Sequence, residues 1–294
     1  MKPLADLGRR LAVAAVGIPL ALVVLFTGGW PLTVGIAVLA IMATLELNAL
    51  AEVRGTRAFS WIGTIGTAAL VLLAGWTRSF SAWAPWAMAC LLLLLFLSSA
   101  SAIKLRTPEE RPVLAVSLTL TGVFYWGGCF SFAIFLRHLP EMAAGPGPVP
   151  HAQGAVLLAF PLAVTWIADT AAYLVGSLVG RRKLIPTVSP GKTVEGGVAG
   201  LITAVMVGGF MGWFFLGIHP DPLIAILLGG SMGFLMGITV QLGDLIESLF
   251  KREAGVKDSG VLLPGHGGIL DRFDALIFTL PLTYALVRLV GYLQ

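Results

Sequence analysis

Charged residues are scarce in this chain of 294 residues, because Asp, Glu, Lys and Arg together make up only 12% of it. That is about half the charged fraction of an ordinary soluble domain. Apolar residues make up 57%, and the mean hydropathy is +0.92. This small number of charged residues cannot cover the surface of a soluble fold of this size. Lipid must therefore be the solvent for most of the chain. The composition therefore predicts an integral membrane protein.

Cysteine is rare as well. The two cysteines, Cys90 and Cys129, both fall in apolar runs, which excludes a disulfide framework or a zinc-ligand spacing. A pI of about 9.3 is compatible with nucleic-acid binding, but the basic residues are scattered over short loops, so we predict no nucleic-acid partner. The apolar run from Leu11 to Thr27 is long for a signal peptide, and no small-x-small cleavage site precedes Trp30. We expect it to be a retained first span.

Apolar runs that cross roughly 30 Å of hydrocarbon need about 20 residues each. We find nine, at approximately 11–29, 31–52, 59–76, 83–103, 113–136, 154–179, 196–218, 222–246 and 275–293. The predicted fold is therefore all-α, a polytopic integral membrane protein with about nine transmembrane helices. We expect a single membrane domain over 1–294, with spans in 1–136 as scaffold and 154–294 as the catalytic half. The catalytic half contains two polar loops, 180–195 and 247–274.

The basic residues predict the orientation of these spans. With nine spans and a cytoplasmic N-terminus, 16 of the 19 Lys and Arg residues fall in inside segments. Arg78, Arg137 and Arg288 are the three in outside segments or at span ends. By the positive-inside rule, the N-terminus is cytoplasmic and the C-terminus lies outside. We therefore predict a multi-pass protein of the cell (inner or plasma) membrane whose two polar loops face the cytoplasm.

Two acidic residues fall inside predicted spans, where an ionisable group is unfavourable unless it is paired or hydrated. Glu46 is predicted near the cytoplasmic end of the second span, where a hydrogen bond to Asn48 or to a neighbouring helix would account for it. Asp169 lies well inside the sixth span, flanked by Thr170 and Tyr173. It indicates either a polar cavity that opens from the cytoplasm or a buried structural carboxylate.

The eighth predicted span ends in a polar face. If the helix continues past residue 246, Asp244, Glu247, Ser248 and Lys251 fall at i, i+3, i+4 and i+7, which places them on one side. Packing gives no reason to gather polar groups on one side of an apolar helix. The alternative is a ladder of charges at the membrane interface.

The loop 180–195 is predicted to start a helix at Ser189-Pro190, because serine caps helices and proline fits their first turn. Lys192 and Thr193 beside free helix N–H groups would form a phosphate site. The glycine spacing of a Walker loop is absent. An ordinary capped helix beside a positive-inside loop is the other interpretation.

The stretch 248–274 combines glycines, acids and bases. Gly265, Gly267 and Gly268 form a loop whose backbone can approach a ligand closely. Asp271 and Asp274, three residues apart on an emerging helix, can face the same point as Asp244. Carboxylates beside several Lys and Arg side chains suit Mg²⁺ with a polyphosphate.

This stretch resembles the motif of the phosphatidate cytidylyltransferases (CDP-diacylglycerol synthases), and so do the upstream pieces Asp169–Tyr173 and Ser189–Glu195. The resemblance implies that CTP and phosphatidate, a lipid of the bilayer, react to CDP-diacylglycerol and pyrophosphate with Mg²⁺ as the cofactor. A second metal ion and a homodimer are left open.

The resemblance and the residue types together predict roles for the site. The metal ligands are Asp244 and Asp271, with Asp274 and Asp169 as further candidates. His266 is either the general acid for the leaving group or a loop-fixing hydrogen-bond donor. The predicted catalytic residues are Asp244, Asp271, Lys251, Lys257, His266 and Arg272. The predicted substrate- and phosphate-binding residues are Ser189, Lys192, Thr193, Ser248, Arg252, Gly267 and Gly268.

Two other activities fit a polar site among apolar spans. A CTP-dependent lipid kinase would transfer the γ-phosphoryl group and release CDP in place of pyrophosphate. A transporter would carry charged residues near the membrane midplane, with broken helices and inverted repeats. The polar residues here gather at the cytoplasmic ends of two spans, and no repeat is detected, which favours the enzyme.

Overall fold

The computed structural model describes residues 17, 19–144, 151–260 and 267–291, and most of them are helical. Residues 19–27 precede the first labelled helix and are helical too. The labelled helices are α1 (Gly29–Glu52), α2 (Ser60–Thr77), α3 (Phe80–Leu105), α4 (Pro112–Gly122), α5 (Cys129–Ala144), α6 (His151–Val179), α7 (Val194–Phe214), α8 (Pro222–Ala254), α9 (Leu270–Phe273) and α10 (Leu276–Leu289). A π-helical segment, Val123–Gly128, joins α4 to α5.

Seven helical segments among the described residues are long and apolar enough to cross a membrane, and they coincide with predicted spans two to eight. This confirms an all-α, multi-pass membrane protein. Most of the first predicted span, 11–29, lies outside the described residues. The helix at the ninth, α10, has 14 residues, fewer than the ~20 that a span requires. The count of nine and the sides of the two termini remain predictions.

The outer faces of these helices are apolar. In α3, Leu92, Phe96 and Ile103 are exposed, and Ile103 is exposed by 87%. Large apolar side chains in such number would make a soluble protein aggregate, whereas hydrocarbon solvates them without penalty. The high apolar content of the chain is therefore explained by the lipid that surrounds its helices.

The chain forms two compact units. The first contains residues up to 138 together with 253–273, and the second contains 139–252 together with 274 onward. The segment 253–273 thus belongs with the N-terminal helices, although it follows α8 in sequence. A hydrogen bond from Arg54 Nε to the carbonyl oxygen of Glu253 ties it to the end of α1.

A buried arginine organises one end of the first unit. Arg137 is only 1% exposed, and its guanidinium donates to the carbonyl oxygens of Leu25 at 2.9 Å and Phe26 at 2.7 Å. Those carbonyls end the helical run 19–27 and would otherwise lack partners. Gly28, at φ 62°, leaves room for the guanidinium, because a Cβ there would lie 2.9 Å from Arg137 Cζ. Arg137 therefore satisfies a helix end.

Glycines let α7 and α8 approach closely in the second unit. A Cβ on Gly208 would lie 2.4 Å from the carbonyl oxygen of Gly229, and one on Gly233 would lie 2.2 Å from that of Ala204. Small residues at such a contact are typical of helix pairs in lipid, where association depends on close packing. The contact fixes α8, which carries the polar face, against α7.

The loop 180–195 is a β-hairpin, so the predicted helix start at Ser189-Pro190 is wrong. Strand β1 (Lys183–Ile185) pairs antiparallel with β2 (Ser189–Thr193), with Lys183 opposite Thr193. The helix α7 begins at Val194, capped by Thr193 Oγ1, which accepts a hydrogen bond from Gly196 N at 3.2 Å. Pro190 fits the strand because this two-stranded sheet leaves edge positions that need no N–H donor.

Candidate active site

The polar face predicted at the end of α8 exists, because the helix continues through the charged residues to Ala254. Glu247 Oε1 lies 2.8 Å from Lys251 Nζ, one turn further along. Asp244 Oδ2 lies 2.5 Å from Lys192 Nζ of strand β2, and both side chains are partly exposed. The hairpin therefore brings a base to the acidic end of α8, as the prediction of a shared site requires.

Three carboxylates of the second unit meet beside this ion pair. One oxygen from each of Asp244, Glu247 and Asp274 lies within 4.8 Å of the others. Gly243 makes the approach feasible, since a Cβ at that position would lie 2.8 Å from the Cα of Ala275. Asp274 is thereby held next to α8, with its Oδ1 accepting a hydrogen bond from Ala275 N at 2.8 Å.

The electrostatics of the cluster favour a cation. Burial first, and then the Asp244 carboxylate, raise the pKa of Asp274 to about 7. Asp169 of α6, half-buried, is close enough for the charges of Asp244 and Lys192 to act on it. Carboxylates that disfavour one another's ionisation are suitable ligands for a hard divalent cation, which prefers oxygen donors. Asp244, Glu247 and Asp274 could hold such an ion.

Glu247 was missing from the predicted ligands, and the spacing of α8 could have identified it. It lies three residues after Asp244 on the predicted polar face, the spacing at which helical side chains are neighbours. Asp274, by contrast, was among the predicted candidates, and the structure brings it to Asp244.

Four other predicted residues of the second unit lie on the hairpin or on α8. Arg252 Nε donates to the carbonyl oxygen of Val188 at 3.1 Å, between the strands. Thr193 uses its hydroxyl to cap α7. Ser189 is half-buried in β2, and Ser248 is buried in α8. The predicted phosphate-binding role of these four residues remains a prediction.

Asp271 lies in the first unit, where it organises the loop that leads to α9. Its Oδ2 accepts hydrogen bonds from Ser259 N at 2.9 Å, Ser259 Oγ at 3.0 Å and Gly268 N at 2.9 Å. Gly267 adopts φ 82°, and a Cβ there would lie 2.9 Å from the same oxygen. The predicted metal-binding role of Asp271 remains a prediction.

Three further predicted residues belong to the stretch 253–273. Lys257 and Arg272 are exposed. His266 lies outside the described residues, as does Gly265.

Apolar membrane helices that carry a cluster of carboxylates and a paired lysine define a class of protein, a multi-pass membrane protein with a polar site that could bind a divalent cation and phosphate groups. The sequence matches the cytidylyltransferase family over residues 8–290, nearly its whole length. The chain belongs to that family.

Several curated proteins are similar to this chain. A phosphatidate cytidylyltransferase of Synechocystis sp. is 34% identical over an alignment of 302 residues, gaps included, that covers 96% of this chain and 97% of that protein. One of Bacillus subtilis is 39% identical over 172 residues, 58% of each chain. One of Staphylococcus saprophyticus is 48% identical over 130 residues, 44% of this chain and 48% of that protein. The similarity to the first extends through the N-terminal helices.

Proposed function

We propose that the protein transfers the cytidylyl group of CTP to phosphatidate and so produces CDP-diacylglycerol and pyrophosphate. The observation that carries this proposal is the acidic cluster with Lys192 at the end of lipid-facing helices. Such a site can receive a charged headgroup and a nucleotide while the acyl chains stay in the bilayer. The proposal is supported by the similarity of almost the whole chain to the phosphatidate cytidylyltransferase of Synechocystis sp..

The proposal includes Mg²⁺, held by Asp244 with Glu247 and Asp274. The donor set fits this ion, because carboxylate oxygens are its preferred protein ligands. When bound, the ion would neutralise phosphate charge. Asp271 and Asp169 remain further proposed ligands.

The chemical step is an in-line displacement at the α-phosphorus of CTP. A phosphate oxygen of phosphatidate forms the new P–O bond, and the bond to the bridging oxygen of the β-phosphate breaks, so pyrophosphate leaves with the electron pair. The attacking phosphate is already anionic, so no general base is needed. The protein contributes positioning and charge neutralisation, which dominate reactions of this type. Lys192 supplies positive charge from β2.

The nucleotide product distinguishes the proposed activity from its rivals. We expect detergent-solubilised protein with CTP, phosphatidate and Mg²⁺ to release pyrophosphate and to form CDP-diacylglycerol. A CTP-dependent lipid kinase would release CDP instead. A transporter would release neither product but would move a solute across vesicles. Omission of phosphatidate is the control, and CDP as the product would refute the transferase.

The side of the membrane on which the site lies follows from the substrates. CTP is a cytosolic solute that does not cross bilayers, so the proposal requires a cytoplasmic site, in agreement with the distribution of basic residues. We expect sealed inside-out vesicles to use added CTP and right-side-out vesicles to use it only after permeabilisation. Equal activity of both sealed preparations would contradict the orientation without affecting the assigned chemistry.

The hairpin lysine provides a test of the nucleotide site. We expect Lys192→Ala to lower kcat/KM for CTP by roughly 10- to 100-fold, because a hydrogen bond to a charged group contributes about 1.5–3 kcal/mol. The matched control is Lys183→Ala, an exposed lysine on the adjacent strand. Steady-state kinetics with varied CTP should show little change in the control. Unchanged kinetics of Lys192→Ala would show that the hairpin does not contribute to the nucleotide site.

A further inference from the structure

A buried carboxylate of α1 holds the loop before α9. Glu46 is only 5% exposed. Its Oε1 accepts a hydrogen bond from Ile269 N at 3.0 Å, and its Oε2 accepts one from Leu270 N at 2.9 Å. The sequence predicted a partner on α1 or a neighbouring helix for this side chain. The structure pairs it with two consecutive backbone amides more than 220 residues further along the chain, and the second of them, Leu270 N, belongs to the neighbouring helix α9.

Two glycines of the loop make room for this carboxylate. A Cβ on Gly260 would lie 2.7 Å from Glu46 Oε1. One on Gly268 would lie 2.4 Å from Glu46 Oε2 and 2.1 Å from Ser259 Oγ. At both positions the missing side chain therefore makes room for Glu46, whereas the sequence indicated an approach to a ligand at Gly268.

Ser259 connects Glu46 to Asp271. Its Oγ lies 3.2 Å from Glu46 Oε2 and 3.0 Å from Asp271 Oδ2. A serine hydroxyl carries one hydrogen, so it donates to one of these oxygens at a time. The carboxylates of Glu46 and Asp271 thus contact the same serine hydroxyl. Glu46 also accepts hydrogen bonds from Ile269 and Leu270, the two residues that directly precede Asp271, and we call these contacts of Glu46 the Glu46 grip. We therefore expect a displacement of Glu46 to move Asp271 as well.

We propose that Glu46 is a positioning residue for cytidylyl transfer. It touches no substrate, and it acts by fixing Ser259, Ile269 and Leu270, which are close in sequence to Lys257 and Asp271. The proposal rests on the proposed function. The proposal assigns a catalytic contribution to the N-terminal spans, which the sequence analysis predicted to be scaffold.

Glu46→Gln tests the proposal with little change in shape. Glutamine replaces one acceptor oxygen by an NH₂ group, which must face an N–H donor of Ile269 or Leu270. We expect faster hydrogen exchange at one or both of these amides in the full-length protein in detergent. We also expect kcat to fall ~10- to 100-fold, the usual effect of losing a partner that orients a ligand, with KM for CTP within about threefold.

The matched control is Thr44→Val, one half-turn away in α1. Thr44 Oγ1 bonds Ala40 O at 2.8 Å and Thr67 Oγ1 at 3.0 Å, away from the loop. It should lose stability but keep kcat and loop protection. Gly260→Ala is an independent variant, because the atoms nearest to its added Cβ all belong to Glu46. It should reproduce the losses of Glu46→Gln, and it decides the case if Glu46→Gln does not fold.

Wild-type exchange at Ile269 and Leu270 in the variants would overturn the proposed grip. Fast exchange with wild-type kcat would overturn its catalytic consequence. A wild-type protein that forms no CDP-diacylglycerol would refute the proposed function, and the exchange result would still report on the grip.

Discussion

Asp244→Asn is expected to lower the rate of cytidylyl transfer by roughly 1,000-fold. Asp244 is shared by the carboxylate cluster and the ion pair with Lys192. Asparagine preserves the shape but removes the charge that a divalent cation and the lysine both require. The loss of one preorganised electrostatic partner in a transition state typically lowers kcat by 10²- to 10³-fold, and a metal ligand adds to that. Turnover at saturating CTP and phosphatidate measures it.

Asp221 provides the matched control for Asp244. It precedes the same helix, 23 residues earlier and so about 35 Å away along the axis. Its Oδ1 accepts hydrogen bonds from Leu223 N at 2.8 Å and Ile224 N at 3.3 Å, as an N-terminal cap. Asp221→Asn should keep its turnover. We further expect raised Mg²⁺ to restore part of the activity of Asp244→Asn. If Asp244→Asn keeps a tenth of wild-type turnover at the ordinary Mg²⁺ concentration, Asp244 is not a metal ligand.

The spans were predictable because hydrocarbon offers no hydrogen bonds to the backbone. An apolar run of about 20 residues in lipid has to satisfy its own N–H and C=O groups, which favours a helix. The polar end of α8 followed from the same geometry. Residues at i, i+3 and i+4 are neighbours on any helix, so Asp244, Glu247 and Ser248 had to share a face.

The hairpin was not predictable from its own residues. Ser189-Pro190 fits the start of a helix as well as a strand, so local preference does not decide between them. The outcome depends on distant partners. Glu195 accepts hydrogen bonds from the backbone amides of Arg181 and Arg182 at 3.1–3.2 Å, and Arg252 holds the hairpin through Val188. These contacts favour a strand that returns along its neighbour.

The spacing of the acidic residues in the sequence also did not predict their partners. Asp271 and Asp274 are three residues apart, which on a continuous helix would turn them toward one point. The helix α9 ends at Phe273, so the helical spacing does not extend to Asp274. Asp274 joins Asp244, and Asp271 binds Ser259 and Gly268. Glu46 is further removed, because no periodicity connects residues more than 220 positions apart.

Asp271→Asn separates two roles that the structure allows for this residue. Asparagine keeps one oxygen, which can accept the same hydrogen bonds from Ser259 and Gly268, so we expect the loop to stay ordered. The negative charge is lost, and we expect turnover to fall by roughly 100-fold. Hydrogen exchange at Gly268 and turnover at saturating substrates, measured on the same sample, test the two expectations together.

The contrast with Asp271→Ala makes this test decisive. Alanine removes the charge and all the hydrogen bonds, so it should release Gly268 as well as abolish turnover. If Asp271→Asn keeps near-normal turnover and only Asp271→Ala is inactive, Asp271 serves the loop and is no metal ligand. If Asp271→Asn is inactive with a protected loop, the charge itself is needed at the site. The Glu46 grip would then matter because it sets where that charge lies.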